Sequence, residues 1–370
     1  MTLYPNLIID ALRGVRYPGN GKSIVELGMI ADNIRIDGMS VSFSLVFDKS
    51  TDPFVRSLVK TVEAAIHTNI SPDVQVTVTP EFRRNVEERV NPLPKVKNIV
   101  GISSGKGGVG KSTVAANLAV ALAASGYKVG LLDADIFGPS VPKMFGVEDE
   151  PIYMVKEEGR DWIEPVEKYG VKVLSIGFLV DKDKPVLWRG GMASNALKQL
   201  ITDAWWGELD YFLIDMPPGT SDIHLTLVQT LPMTGVVVVT TPQEVALADA
   251  RKGLAMFRQD QVNVPVLGLV ENMAWFTPEP HPDEKYYIFG KEGGLRLAQE
   301  TGTELLGQIP LVSSVMEHAD GGVPVAVELE TDPATTNPEA LAFRDLASRL
   351  VMAVDLRNAT LPPTTKVETH

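Results

Sequence analysis

The sequence predicts two α/β domains, a small one followed by a larger, doubly wound domain with a mainly parallel sheet. From Lys97 onward, short apolar runs alternate with helix-length segments, the pattern of βαβ units whose strands are buried on both faces. A glycine-rich string, Gly105 to Thr113, lies between the first of those runs and a helical stretch. Ahead of it, Arg83 to Lys97 is charged, carries Pro92 and Pro94 and keeps no period, as a connection between domains does.

In chain order, Leu7 to Val15 opens as a helix, and Asn33 to Ile36 and Ser40 to Phe47 alternate as strands. Pro53 to His67 is helical and Val74 to Val78 alternates again. These make a small α/β domain over residues 1–88, with 89–97 as linker and 98–354 as the large domain. The large domain's expected strands are Ile99 to Ile102, Val129 to Leu132, Val171 to Ile176, Tyr211 to Ile214, Val236 to Val239, Val266 to Val270 and Leu305 to Ile309. A last helical pattern covers Pro338 to Val354, and residues 355–370, polar and rich in Pro and Thr, are expected to be a disordered tail.

Composition narrows the function. With 44% hydrophobic and 22% charged residues the chain reads as ordinary globular protein, and no apolar run reaches the roughly 18 residues needed to span a bilayer. The start, MTLYPNLIIDALRG, has no basic segment leading into an apolar one, so export is not expected and the cytoplasm is the expected location. A formal net charge of -13 opposes a nucleic-acid surface, which needs clustered Lys and Arg. The tail offers no basic amphipathic helix for a membrane. Cysteine is absent, so this chain supplies no disulfide, thiolate ligand or cysteine nucleophile.

The string Gly105-Lys106-Gly107-Gly108-Val109-Gly110-Lys111-Ser112 satisfies G-x-x-x-x-G-K-[ST], and it joins an apolar strand to the helical run Ser112 to Ser125. Glycines let successive N–H groups turn toward phosphate oxygens, and the helix adds its unpaired donors and positive dipole end. The large domain is thus expected to be a P-loop NTPase that takes ATP and Mg²⁺. Lys111 is expected at the β/γ-phosphates, the Ser112 hydroxyl on Mg²⁺ and Thr113 beside them, while Gly126 stops the helix. Lys106 is an extra lysine inside the loop. It is either a solvated surface charge or a cation that reaches the phosphates of a neighbouring subunit.

Asp215 ends an apolar strand in a Walker B arrangement, where a carboxylate at the strand's carboxyl end can hold Mg²⁺. Pro217-Pro218-Gly219 after it makes a stiff turn. Asp133 and Asp135 end the second strand, Asp135 for Mg²⁺ and the attacking water, Asp133 in structural support. Asn272 ends a later strand at the same edge, and on the residues alone it is a turn Asn before it is a base reader. The five histidines show no metal-ligand spacing and read as surface or packing residues, while Trp188, Trp205 and Trp206 read as core or interface anchors.

Together KGGVGKST, LLDADIFGPS, LIDMPPGTSD, VVVVTTPQ and GLVENMAWF closely resemble the Mrp (ApbC) branch of the MinD/ParA-like deviant Walker A ATPases, from about Lys97 to Arg349. The first unit, with ALRGVRYPGNGKSIVELGMI and a helix after Pro53, looks like the small domain of iron–sulfur assembly proteins. The resemblance implies a homodimer that sandwiches nucleotide, Lys106 acting across it, Asn272 as an adenine contact, and a role in loading iron–sulfur clusters onto apo-proteins with assembly proteins or clients as partners. It also implies a bridging cluster held by Cys-x-x-Cys after the Asn-Met stretch. Here Thr277-Pro278-Glu279-Pro280-His281 stands in that region, so no residue of the chain is expected to be an Fe–S ligand. Glu279 and His281 would make at best a hard, weak site. The small domain likewise lacks the family's cysteine near Thr51 and Asp52, and has Tyr17-Pro18-Gly19 for Asp-Pro-Glu. The leading expectation is an Mrp-type ATPase in iron–sulfur protein maturation, with cluster ligation lost or supplied by a partner. The alternatives are a nucleotide-switched scaffold and a positioning ATPase that handles no cluster.

Overall fold

The computed structural model describes residues 3–31, 33–47, 52–82, 91–136, 138–179, 190–278, 281, 284–312, 318, 320–364 and 366. Thr51, residues 83–90 of the connection, Trp188, Glu279, Pro280 and the end of the tail lie outside them. The chain divides into two compact units, Met1–Val90 and Asn91–His370.

In the first unit α1 (Pro5–Leu12) precedes β1 (Arg35–Asp37), β2 (Ser40–Phe47), α2 (Val55–Asn69) and β3 (Gln75–Phe82). The sheet order is β1-β2-β3, with β1 antiparallel and β3 parallel to β2, so α2 is a crossover helix. Leu58, Val62 and Ile66 make one stripe at helical spacing and are buried with Val41, Phe43 and Leu45 of β2. Both short elements differ from expectation. The first helix stops at Leu12 rather than Val15, and the first strand starts at Arg35 rather than Asn33, whose side chain is instead bonded to Ser44.

The second unit is built on an eight-stranded sheet of order β13-β12-β11-β4-β10-β5-β9-β8. Its strands are β4 (Val96–Ser104), β5 (Val129–Asp133), β8 (Val166–Lys168), β9 (Val171–Ser175), β10 (Leu209–Asp215), β11 (Gly235–Thr240), β12 (Val266–Glu271) and β13 (Leu305–Gln308). All are parallel except β8, which pairs antiparallel with β9. Each expected strand of the large domain is present. Strand residues alternate between two cores: Val100, Ile102 and Leu213 face α3 (Lys111–Ala124) and the C-terminal helix, while Ile99, Phe212 and Ile214 face the opposite layer. Burial on both faces is why these strands read as unbroken apolar runs. The opposite layer comprises α5 (Gly190–Thr202), α6 (Asp222–Thr230), α7 (Glu244–Phe257) and α8 (Gly293–Thr301). Helix α3 is buried from Val114 to Leu122, which accounts for its weak amphipathic signal.

A short helix, α4 (Val141–Met144), follows β5, and a hairpin of β6 (Met154–Glu157) and β7 (Arg160–Ile163) precedes β8. The hairpin and β8 were not expected, because these short strands are largely exposed and carry little apolar pattern. The C-terminal helix corrects a second expectation. After α9 (Glu328–Thr331), α10 runs Pro338–Thr360, so residues 355–360 are helical rather than part of a disordered tail. Val354 is still buried, and Arg357 and Asn358 hold the last turn through Pro362 and Asn98.

Glu339, in the first turn of α10, is 2% exposed and its Oε2 has no hydrogen-bond partner among the described residues. Burial, reinforced by the nearby Glu328 charge, pushes its carboxyl up to about 8. The folded state therefore holds a proton that the unfolded chain releases near its ordinary carboxyl pKa of 4.5. Stability contributed by this group is full below that value and is lost as pH rises toward 8. Glu339→Gln should remove this loss. Thermal unfolding is expected to show the variant more stable than the parent at pH 8, with the gap closing toward pH 5; a gap that does not change with pH would exclude Glu339 as its source.

Candidate functional site

The carboxyl edge of the large sheet collects the polar residues, and strand order decides which of them meet. Because β10 lies between β4 and β5, Asp215 pairs in register with Ile102 on one side and Asp133 on the other. The glycine-rich loop leaves β4 at Ser104 and returns as α3, whose first residue is Lys111. Lys111 is 5% exposed, and its Nζ lies 2.5 Å from Asp215 Oδ1 and 3.7 Å from Asp135 Oδ2, and donates to Ser112 Oγ at 3.2 Å. Asp215 is fully buried and its Oδ2 has no hydrogen-bond partner among the described residues. Burial raises the Asp215 carboxyl, and the Lys111 charge acts against that rise.

Asp133 is also fully buried, and burial followed by the Asp215 charge pushes its carboxyl up to about 7. Its oxygens accept from the Asp135 N–H, the Val141 N–H and the Ser175 hydroxyl at 3.1, 3.2 and 3.0 Å. Asp133 thus ties β5 to β9 and to α4, and holds the turn that carries Asp135. The segment after Asp215 is anchored to β4: Met216 N–H donates to Ile102 O at 2.9 Å and Gly219 N–H to Ser104 O at 2.8 Å.

In the loop, a Cβ on Gly105 would strike the Asp249 backbone of α7, and one on Gly110, whose φ is +76, would strike Asn272 Nδ2. Gly107 and Gly108 are exposed, and Lys106 is half-buried, with no carboxylate paired to it among the described residues. Thr113 is half-buried in the first turn of α3. Asn272 is 7% exposed, and its Nδ2 donates to Val109 O at 2.9 Å, so part of this amide is committed to the loop. The structure therefore brings Lys106, Lys111, Ser112, Thr113, Asp135, Asp215 and Asn272 to one edge.

Two residues at this edge escaped the sequence reading. His224 is fully buried in α6 and forms a capping box with Ser221, its Nδ1 accepting from the Ser221 N–H at 3.2 Å. Burial lowers its pKa to about 4, so the ring is neutral and holds the loop after Asp215 in place. Histidine in place of the usual Glu or Gln hid the capping signal. Glu271, also fully buried, accepts from the Gly294 N–H at the start of α8 and from Gln308 Nε2 at 3.2 Å. A glutamate closing an apolar strand carries no motif that distinguishes it.

The remaining aromatic and histidine readings divide by position. Trp206 is buried against Phe212 at 4.6 Å between ring centroids, and His67 bonds to Val74 O. His281 is exposed and lies 3.8 Å from Glu284. It lies in the segment after Trp275, where Phe276 bridges to Tyr286 and to Leu311. In the small unit, Tyr17 and Asp52 are brought together: the Tyr17 hydroxyl donates to Asp52 Oδ2 at 2.5 Å, and Asp52 Oδ1 accepts from the Phe54 N–H at 2.8 Å. No helix among the described residues is long and apolar enough to cross a membrane.

Comparison with known proteins gives a match over residues 95–350 to the family described as NUBPL iron-transfer P-loop NTPase, and over residues 6–78 to iron-sulfur cluster assembly protein. The chain is 44% identical over 356 residues to an iron-sulfur cluster carrier protein of Synechocystis sp., spanning 95% of this chain and 99% of that one. It is 51% identical over 255 residues to an iron-sulfur cluster carrier protein of Pseudomonas fragi, covering 69% of this chain and 85% of the relative. Among solved structures it is similar to a nucleotide-binding protein from Archaeoglobus fulgidus in complex with ADP, with a TM-score of 0.54, 39% identity, and coverage of 64% of this chain and 90% of that one.

Proposed function

Because the chain belongs to the NUBPL iron-transfer P-loop NTPase family, we propose that it binds and hydrolyses ATP while carrying iron–sulfur clusters to apo-proteins, with cluster ligands that it does not itself provide. The observation that carries the nucleotide half is the Lys111–Asp215 contact at the head of α3, beside an Asp215 oxygen that has no hydrogen-bond partner among the described residues. A buried ammonium facing the loop and a buried, half-satisfied carboxylate are what a triphosphate and its cation require. ATP phosphates would take Lys111 as their counter-charge, with the N–H groups of Gly107 to Thr113 around them.

Mg²⁺ takes oxygen ligands, and Ser112 Oγ, Asp215 Oδ2 and Asp135 are hard oxygen donors within reach of one another around Lys111. These residues would hold the ion, which when bound neutralises charge on the phosphates. Asp135, 13% exposed and the more accessible of the two Lys111-facing carboxylates, is assigned to orienting the attacking water. Asp133 positions it through the Asp135 N–H. Asn272 retains its carbonyl oxygen for a purine edge.

Lys106 is assigned to the phosphates of a second copy in a homodimer, because its ammonium is paired with no carboxylate of its own chain among the described residues. ATP turnover per protein is then expected to rise with protein concentration where dimers form, and Lys106→Ala to flatten that rise while ATP still binds. A turnover independent of concentration across a measured monomer–dimer transition would remove Lys106 from the reaction.

The cluster itself is cargo, and this chain's donors do not fit it. Iron in such clusters is held by soft thiolates, and the sequence contains no cysteine. Among the described residues, His281 has Glu284 beside it, a hard and exposed pair. Anaerobic reconstitution with iron and sulfide followed by desalting is expected to leave iron and labile sulfide near background, and cluster to be retained only when glutathione or a cysteine-bearing assembly protein is present. Stoichiometric cluster on the protein alone would overturn the borrowed-ligand reading. Retention under no condition would favour a nucleotide-switched scaffold.

A further inference from the structure

A loop that turns its N–H groups toward phosphate must turn its carbonyls outward, and each outward carbonyl that is buried needs a donor. At Val109, itself 3% exposed, that donor is the side chain of Asn272. The Val109–Gly110 peptide is trans, so the Val109 C=O and the Gly110 N–H point in opposite directions across one planar unit. Fixing the carbonyl toward Asn272 therefore fixes the Gly110 N–H away from it, immediately before Lys111. Contact is close enough that only glycine fits at Gly110.

Asn272 is in turn held from three sides. Its own N–H donates to Thr240 O of β11 at 2.8 Å, and the Glu271 carbonyl accepts from Ile309 N–H at 2.9 Å. The buried Glu271 carboxylate grips the start of α8 through Gly294 and the end of β13 through Gln308. The amide is thus mounted on three strands and a helix, while the loop it touches is half-exposed.

Resting on the ATP reading above, we propose that Asn272 is a positioning residue for the phosphate loop, separate from any contact with the base, and that Glu271 acts through it. A base-free ligand separates the two roles. Calorimetry with Mg²⁺ and inorganic tripolyphosphate, alongside ATP, should show Asn272→Ala weakening tripolyphosphate by a factor of about ten, the scale of a lost bond to a buried acceptor, and ATP by at least that factor, any excess being the lost base contact. Asn272→Asp at neutral pH keeps the shape but loses the donor, and should do the same. Hydrogen exchange of the nucleotide-free protein adds a readout that needs no ligand: amides between Gly105 and Thr113 should exchange faster in both variants, with those of α10 unchanged. Tripolyphosphate bound as tightly by Asn272→Ala as by the parent, with the loss confined to ATP, would overturn the proposal, as would unchanged exchange in the loop. If the unaltered protein bound neither ligand, the nucleotide reading would fail instead, and the exchange experiment alone would decide the brace.

Discussion

The 2.5 Å contact between Lys111 and Asp215 joins two buried, oppositely charged groups at the point where three strands and the first turn of α3 converge. Taking either charge out of water alone is costly, so each residue's burial depends on the other. Around that pair the rest of the edge is arranged to tolerate further carboxylates. Asp133 accepts three hydrogen bonds, and Asp135 stays partly exposed and 3.7 Å from the lysine. On the function proposed above, an arriving triphosphate would offer Lys111 a stronger partner and leave Asp215 for the cation.

Much of this was legible in the sequence because the constraints are local. Strands buried on both faces leave unbroken apolar runs, and a loop that wraps phosphate needs glycine at fixed spacing, so β4, α3 and the loop between them are plain in the residues. Asp133, Asp135 and Asp215 could be placed at one edge because parallel strands end on the same side. What strand order adds is adjacency: that Asp215, rather than Asp135, takes the short contact follows from β10 lying between β4 and β5. The Asn272 bond to Val109 spans more than half the domain in sequence and left no local trace. His224 reads in the sequence as a surface or packing residue because its capping role uses an unusual side chain, and the exposed β6–β7 hairpin carries too little apolar pattern to declare itself.

Iron–sulfur handling is where resemblance and residue chemistry diverge. The family match covers both units, and a relative of nearly equal length is named as a cluster carrier, yet the chain offers no thiolate. In the small unit, Tyr17 and Asp52 meet in a short hydrogen bond near the position where the resemblance implies a cysteine, so that region now holds a neutral hydroxyl against a carboxylate. On the function proposed above, a chain with these residues would leave the iron chemistry to thiols brought by another molecule.

The account stands on Lys111 being the charge that ATP meets. Titrating ATP and Mg²⁺ into the parent and into Lys111→Ala by calorimetry addresses this directly, with unfolding curves of both recorded to establish that the variant is folded. The account predicts saturable binding to the parent and no detectable binding to the folded variant, because nothing else in the first turn of α3 carries positive charge toward the β/γ-phosphates. ATP affinity within a few-fold of the parent in the folded variant would contradict it.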